Sequence, residues 1–459
     1  MIYMVYIKYE KLKTILKYIK ISLLTSLLIS CATSASMYRE LDFAVGQADF
    51  GTALEIIVNR QNTRPIYSER NAIMLFLDKG LLEHYAGNWA ASSNDLQNAE
   101  HMIEEAYTRS ISENFFSYIL NDNVKEYPGE DFENIYLNVF NALNYYNRGN
   151  IEGALVEIRK LSMSNGKLDM LARRYEYTDP STGENLNSRT IRETGISQMP
   201  ETRSTNFSNS ALARFLGALF YQAAGNTDSA RIEFAQVERA FNTNRNIYNF
   251  PVPKAVMQAQ NVPDKLARLN IISFAGLSPI KEEQIFVQAL PFQHPILQIA
   301  AFKLPVLTRR QSQITRIEAV VEGAGRFDLE LLENMGAVIQ ETFILRYSNI
   351  LLKTYIRTIL KYAVADIAAM EAVRRQGEFA GLMTAIAART AMDISEAADI
   401  RMSRYLPDRA YIGGINLDPG TYSVIINYYN GNRIIAREFH ENVNVSRNGL
   451  NLLQSVNLI

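Results

Sequence analysis

The sequence predicts an α+β protein, with helical hairpins in its N-terminal half and a mixed α/β C-terminal half that ends in a β-meander. Three observations point there. A turn of Gly or Ala followed by Asn or Asp, then a small residue a few positions on, recurs four times before residue 250. After Phe250-Pro251-Val252-Pro253 the apolar spacing changes from helical to alternating. Near the C-terminus Asn430-Gly431, a strong hairpin dipeptide, separates two alternating runs. The chain has 459 residues, 47% hydrophobic and 21% charged, close to the averages of globular domains, and long enough for roughly two to four domains at about 100–200 residues each.

The N-terminal 30 residues are set apart. Lys8, Lys11, Lys13, Lys17 and Lys20 face a single acid, Glu10, and the uncharged run Ile21 to Ser30 follows. A basic start, a short apolar run and small residues at its end form a secretory signal; ten residues fall short of the roughly 20 that span a bilayer as a helix. Cys31, the one cysteine of the chain, follows at once. A single cysteine excludes an internal disulfide framework and a multi-cysteine metal site. Leu28-Ile29-Ser30-Cys31 resembles the bacterial lipobox, which implies cleavage before Cys31 and lipidation of its sulfur. Removing residues 1–30 leaves 42 basic against 47 acidic residues, a net charge of about −5. Neither the whole chain nor this mature form has the basic excess expected of a nucleic-acid binder. The expected membrane contact is therefore the acyl chains rather than surface charge. Ala32 in place of Asp after the cysteine favours, by the same resemblance, the outer membrane facing the periplasm.

Residues 31–250 read as the helical domain. Met74, Leu77, Leu81 and Leu82 recur at helical spacing, Gly87-Asn88-Trp89 breaks the run, and Leu96, Ala99 and Ile103 continue it. The same arrangement recurs at Ala48-Asp49-Phe50 with Ala53 and Ile57, at Gly149-Asn150-Ile151 with Ala154 and Ile158, and at Gly225-Asn226-Thr227 with Ala230 and Phe234. A glycine there supplies the left-handed conformation that ends a helix. Residues 176–209, rich in Ser, Thr, Asn, Arg and Glu, form a polar insertion between hairpins.

Residues 251–327 read as a β-rich segment, with strands at Leu269–Phe274, Gln284–Val287, Ile299–Phe302 and Thr315–Val321. Residues 328–402 read as Ala-rich helices, capped by Asp328 and broken at Gly377. Residues 403–459 read as the β-meander, in which Asp418-Pro419-Gly420 turns the chain and Tyr422, Val424, Ile426 and Tyr428 share one face.

The four hairpins resemble tetratricopeptide repeats, although the turns are 39, 62 and 76 residues apart rather than regularly spaced. Two longer blocks are similar to one uncharacterised family of bacterial TPR-like lipoproteins. The first runs from Gly129-Glu130-Asp131-Phe132-Glu133 through Ala142-Leu143-Asn144-Tyr145 to Ala154-Leu155-Val156-Glu157-Ile158-Arg159. The second runs from Phe274-Ala275-Gly276-Leu277-Ser278-Pro279 through Arg357–Lys361 to Leu417–Tyr422. The resemblance implies lipidation, a helical-repeat half and a mixed half. It implies no catalytic residue.

The residues themselves suggest no chemistry either. Neither a G-x-S-x-G elbow nor an H-E-x-x-H pair occurs, and four separated histidines form no metal motif. Gly323-Ala324-Gly325 lacks the third glycine of a dinucleotide loop. Glu130, Asp131 and Glu133 sit where a helix start favours acids, and His294 reads as a loop residue. The expectation is no cofactor, no metal and no catalytic site. A sharper signal lies on the first helices of the hairpins, at positions that line the concave face in tetratricopeptide repeats: Met74, Leu77, Leu81 and His84; Tyr136, Val139, Leu143 and Tyr146; Leu212, Phe215, Leu219 and Gln222. Of these, Met74, Leu81, His84, Tyr136, Tyr146, Phe215 and Gln222 are the candidate partner-binding residues. A broad apolar face is a liability if left bare, so it either binds a peptide or protein chain or is filled by another part of this chain. The functional expectation is a non-catalytic scaffold or adaptor, binding protein partners in the cell envelope and held to the bilayer through Cys31. The rival readings are an envelope hydrolase with a site in the C-terminal half and a carrier of a hydrophobic ligand.

Overall fold

The computed structural model describes residues 38–61, 66–111, 125–162, 166–167, 207, 209–290 and 292–459. Cys31, the signal segment and nearly all of the polar insertion 176–209 lie outside them. The chain divides into two compact units, residues 1–66 and 67–459. No helix among the described residues is long and apolar enough to cross a membrane.

In the first unit, α1 (residues 38–46) and α2 (Phe50–Gln61) form a hairpin. Ala48 takes the left-handed conformation at φ 55°, and the Asp49 carboxylate accepts the Thr52 amide at 3.0 Å to begin α2.

The second unit opens with three further hairpins in sequence: α3 (Ala72–Tyr85) with α4 (Trp89–Ile111), α5 (Asp131–Asn147) with α6 (Ile151–Ser162), and α7 (Ala211–Ala223) with α8 (Thr227–Thr243). α4 packs on α5 and α6 on α7, so the hairpins stack in chain order. The turn glycines Gly87, Gly149 and Gly225 have φ of 79°, 74° and 75°. At each, two amides past the helix close back on its last turn, as Gly149 N to Tyr146 O and Asn150 N to Tyr145 O. Leu96, Ala99, Ala154, Ile158, Ala230 and Phe234 are buried, and the small ones allow close helix approach.

A short helix, α9 (Lys254–Gln260), comes first in the segment read as β-rich. Then β1 (Ala267–Leu277) is buried along its length on both faces. It pairs antiparallel with β7 (Pro407–Leu417) and parallel with β10 (Asn451–Asn457), while β6 (Glu330–Asn334) pairs with the far side of β7. This first sheet has the order β10-β1-β7-β6. A second sheet has the order β5-β4-β8-β9, from β5 (Gly325–Asp328), β4 (Arg316–Val321), β8 (Gly420–Asn430) and β9 (Arg433–Val445). Leu269, Ile271 and Ala275 of β1 share a core with Ile317, Ala319, Val424, Ile426 and Tyr428 of the second sheet. On the opposite face of β1, the Phe274 ring lies 5.0 Å from that of Phe140 on α5. Alternation along one strand thus fastens helices, first sheet and second sheet into three layers.

A fourth element joins them. β2 (Ile280–Ala289) and β3 (Ile299–Thr308) form a two-stranded ribbon, too little to stand alone. It is covered by α10 (Met335–Gln376) and α11 (Glu378–Ser395). Tyr362, Ala365 and Ala369 of α10 and Ala385 and Met392 of α11 bury against Leu290, Ala300 and Phe302. Gly381 sets the helix spacing: a Cβ there would lie 2.1 Å from the Val373 side chain.

The α+β class, with helical hairpins first and strands later, is what the structure has. Several finer expectations need correction. Gly323-Ala324-Gly325 turns β4 into β5 rather than opening a helix, and Asp328 pairs with Arg316 at 2.8 Å. The helix cap is Asn334, whose side chain accepts the Ala337 amide, so the segment 328–402 begins with strand β6. The terminal strands are not one meander: β8 and β9 make the Asn430-Gly431 hairpin, whereas β7 and β10 belong to the other sheet.

Candidate functional site

The face defined by the first helices α3, α5 and α7 is occupied by the C-terminal half. Met74, Leu77, Leu81, His84, Tyr136, Val139, Leu143, Leu212, Phe215 and Leu219 are all buried, and Tyr146 and Gln222 are half-buried. The seven candidate residues are therefore corrected from partner-facing to intramolecular. The Tyr146 hydroxyl donates to the Leu450 carbonyl at 2.9 Å and accepts the Leu452 amide at 3.0 Å, docking the start of β10. Tyr85 donates to the Tyr405 carbonyl at 2.9 Å. Gln222 donates to the Ala259 carbonyl of α9 at 3.3 Å. Phe215 packs on Phe234 within its own hairpin. The reason is apolar area: the face is too hydrophobic to leave in water, and the first sheet offers a matching surface through Phe274.

Two buried polar clusters seal this junction and a third lies within the helical half, and none was legible as a site in the sequence. The first centres on Glu333 of β6, fully buried, which accepts the Tyr136 hydroxyl at 2.6 Å, the Tyr248 and Ser210 hydroxyls at 2.9 Å and the Leu212 amide at 2.8 Å. The last donor belongs to the α7 N-terminus, where a carboxylate is favoured. Burial pushes the Glu333 carboxyl up and the four donors pull it down, burial being the larger influence.

The second cluster holds the extended segment between α11 and β7. Asp78 of α3 accepts the Tyr67 hydroxyl at 2.7 Å, the Ser403 hydroxyl at 2.6 Å and the Arg404 amide at 2.8 Å. The Ser403 amide donates to Glu133. Glu133 also accepts the Tyr127 hydroxyl and the Glu130 amide, both at 2.7 Å, the latter closing a capping box. Lys281 and Arg346 pair with Glu130. The acidic run Glu130–Glu133 thus begins α5, as expected, and also anchors the C-terminal half. Burial, and then the neighbouring Glu130, push Glu133 up to about 7.

The third cluster lies between the hairpins. Asn138 of α5 donates to Glu100 at 2.8 Å and Glu157 at 2.6 Å, and Lys160 and Lys167 pair with Glu100 at 2.6 Å. Burial opposes ionisation of Glu100, but the two ammonium groups and Asn138 together hold it down at about 2.

His84, the candidate that titrates nearest neutrality, is enclosed: its Nδ1 lies 2.7 Å from the Asn144 Oδ1, and burial lowers it to about 4. His294 is a buried loop residue whose amide donates to Asp366 at 2.7 Å. Among the described residues no group of three or more His, Cys, Asp or Glu side chains is placed to hold a metal ion.

No family model matches the chain, and no curated protein matches it.

Among the described residues, exposed large apolar side chains recur on the outward side of the α10–α11 hairpin. On α10, Leu360, Val364 and Ile367 form an exposed row opposite the buried Tyr362, Ala365 and Ala369, with Ile367 70% exposed. On α11, Phe379 at 64% and Met383 are exposed opposite Gly381 and Ala385. Separately, on the ribbon face turned away from these helices, Ile285, Val287 and Ile299 are exposed and share that face by register.

Proposed function

We propose that the protein is a non-catalytic scaffold of the cell envelope, anchored through lipidated Cys31 and binding a protein partner with the outward face of the α10–α11 hairpin. The helical repeats then act as a brace. Their apolar face is spent on holding the two-sheet body, and the helix pair of the C-terminal half is what meets the partner. The observation that carries this reading is the paired row Leu360, Val364, Ile367, Phe379 and Met383, large apolar side chains at helical spacing on both helices and turned from the core. Soluble chains rarely leave such a surface bare, and its ordinary occupant is another protein.

The test is substitution of Val364→Glu with Ile367→Glu. Both side chains are more than two-thirds exposed, so folding is expected to survive. Crosslinked capture of the partner from membranes should be lost, while melting temperature and abundance stay unchanged. Undiminished capture by the double variant rejects the hairpin as the contact surface. For the anchor, fatty-acid labelling should vanish in Cys31→Ser; persisting labelling rejects lipidation at that residue.

A further inference from the structure

The hairpin of α3 and α4 contains a group of charges with no part in the junction described above. Lys79 and Glu83 lie one turn apart on α3, and Asp95 faces them from α4. The single ammonium of Lys79 is 2.8 Å from Asp95 and 3.3 Å from Glu83. Two carboxylates thus share one cation. Both acid side chains are about nine-tenths buried, and the second oxygen of Glu83 is enclosed without a hydrogen-bond partner. An unpaired carboxylate oxygen costs free energy when buried, and a like charge beside it adds to that cost. A proton removes both difficulties at once, because a protonated carboxyl donates to its neighbour.

We propose that Glu83 and Asp95 share a proton, which makes the α3–α4 hairpin a proton-sensitive element of the fold. Desolvation, then the charge of Asp95, raise Glu83 to about 7 against the partial opposition of Lys79. The charged groups acting on Glu83 are Asp95 from α4 and Lys79 from its own helix. α5 also packs on α3, and there it presents Asn144, already paired with His84. Glu69 and Arg70, in the short turn before α3, lie at the other end of that helix. His84 adjoins Glu83 in sequence and is the residue type usually assigned such a role, yet its burial keeps it neutral over this range.

The sign follows from linkage. A carboxyl raised in the folded state binds its proton more tightly there than in the unfolded chain. The stability that Glu83 contributes is therefore greatest at low pH, falls as pH rises from about 4.5 to about 7, and is lowest above that.

The deciding experiment is a carboxyl titration by carbon-13 resonance on the full chain, with Glu83→Gln used to assign its signal and Asp95→Asn to remove its neighbour. The expected result is a Glu83 midpoint near 7 that moves toward 4.5 in Asp95→Asn. Hydrogen exchange of amides 79–99, corrected for intrinsic rate, should loosen between about pH 4.5 and 7 in the native chain and not in Glu83→Gln. This second reading separates the pair from Glu133, whose titration is untouched by either substitution. A Glu83 midpoint near 4.5 in the native chain, or loosening that persists unchanged in Glu83→Gln, overturns the proposal.

Discussion

Replacing Glu333 by Leu removes the acceptor at the centre of the junction between repeats and sheets. Four donors converge on that carboxylate: Tyr136, Tyr248, Ser210 and the Leu212 amide. The hydroxyls can turn; Tyr248, for example, also accepts the Ala211 amide at 2.9 Å. The Leu212 amide is fixed by its helix and cannot. A stranded buried donor costs about 1–3 kcal/mol. Counting Leu212 in full and the three hydroxyls in part gives about 5 kcal/mol, and burial of the leucine side chain returns about 2 kcal/mol. The net loss is about 3 kcal/mol, on the order of 100-fold in the folding equilibrium. Glu333→Gln keeps the shape and one acceptor oxygen, and its amide can donate to a turned tyrosine, so it should cost about half as much. Urea unfolding of the three proteins at one pH measures both values. A leucine variant within about 0.5 kcal/mol of the native protein would refute the argument, since it would mean that the donors find other acceptors without cost.

Three further outcomes are expected. Gly149→Val should lower stability by about 1 kcal/mol or more, because a β-branched residue is strained at φ 74°; nothing lies within 4 Å of the added Cβ, so the melting temperature reports backbone strain alone. Phe215→Ala, at a buried ring, should cost about 3–5 kcal/mol, visible as a lower urea midpoint, whereas an exposed partner-binding ring would leave the midpoint in place. Glu100 is held at about 2, below its ordinary value, so its stabilisation is complete above about 4.5 and is lost as pH falls toward 2; Glu100→Gln should flatten the acid limb of the stability profile between pH 5 and 2, and an unchanged limb would exclude this cluster.

The local features of the fold were written in local sequence. Gly87, Gly149 and Gly225 ended their helices because a left-handed residue is needed there, and Asn430-Gly431 made its hairpin for a similar reason. Alternation in Tyr422–Tyr428 reported a strand with one buried face. Pairings between distant segments had no such signature. Nothing in Leu452 and Val456 says that β10 lies parallel to β1, and Asp328 looked like a cap because Asn334, six residues on, competes with an identical signal. The first-helix residues from Met74 to Gln222 were recognisable as a surface needing cover, but apolar spacing cannot name the cover. Glu333 is the instructive omission. An acid directly after Leu331 and Leu332 and within a strand pattern is an anomaly that points to buried donors, although the donors come from residues 136, 210, 212 and 248.

The docking of β10 on Tyr146 and β1 has a consequence for how the molecule is made. Tyr146 and Leu452 are 306 residues apart, and β1 stays an edge of its sheet until residues 451–457 arrive to pair with it. The hairpins close through neighbours in sequence and can form early; the sheets depend on some of the most distant contacts in the chain and form late. In that interval the face of α3, α5 and α7 is bare, together with an open strand edge, the combination most prone to misassembly in large chains. Loss of the last ten residues would leave that β1 edge open permanently and the Tyr146 end of the face uncovered. A truncation there should therefore yield a chain that keeps its helical signal but is retained by chaperones or aggregates, even though no helix has been touched.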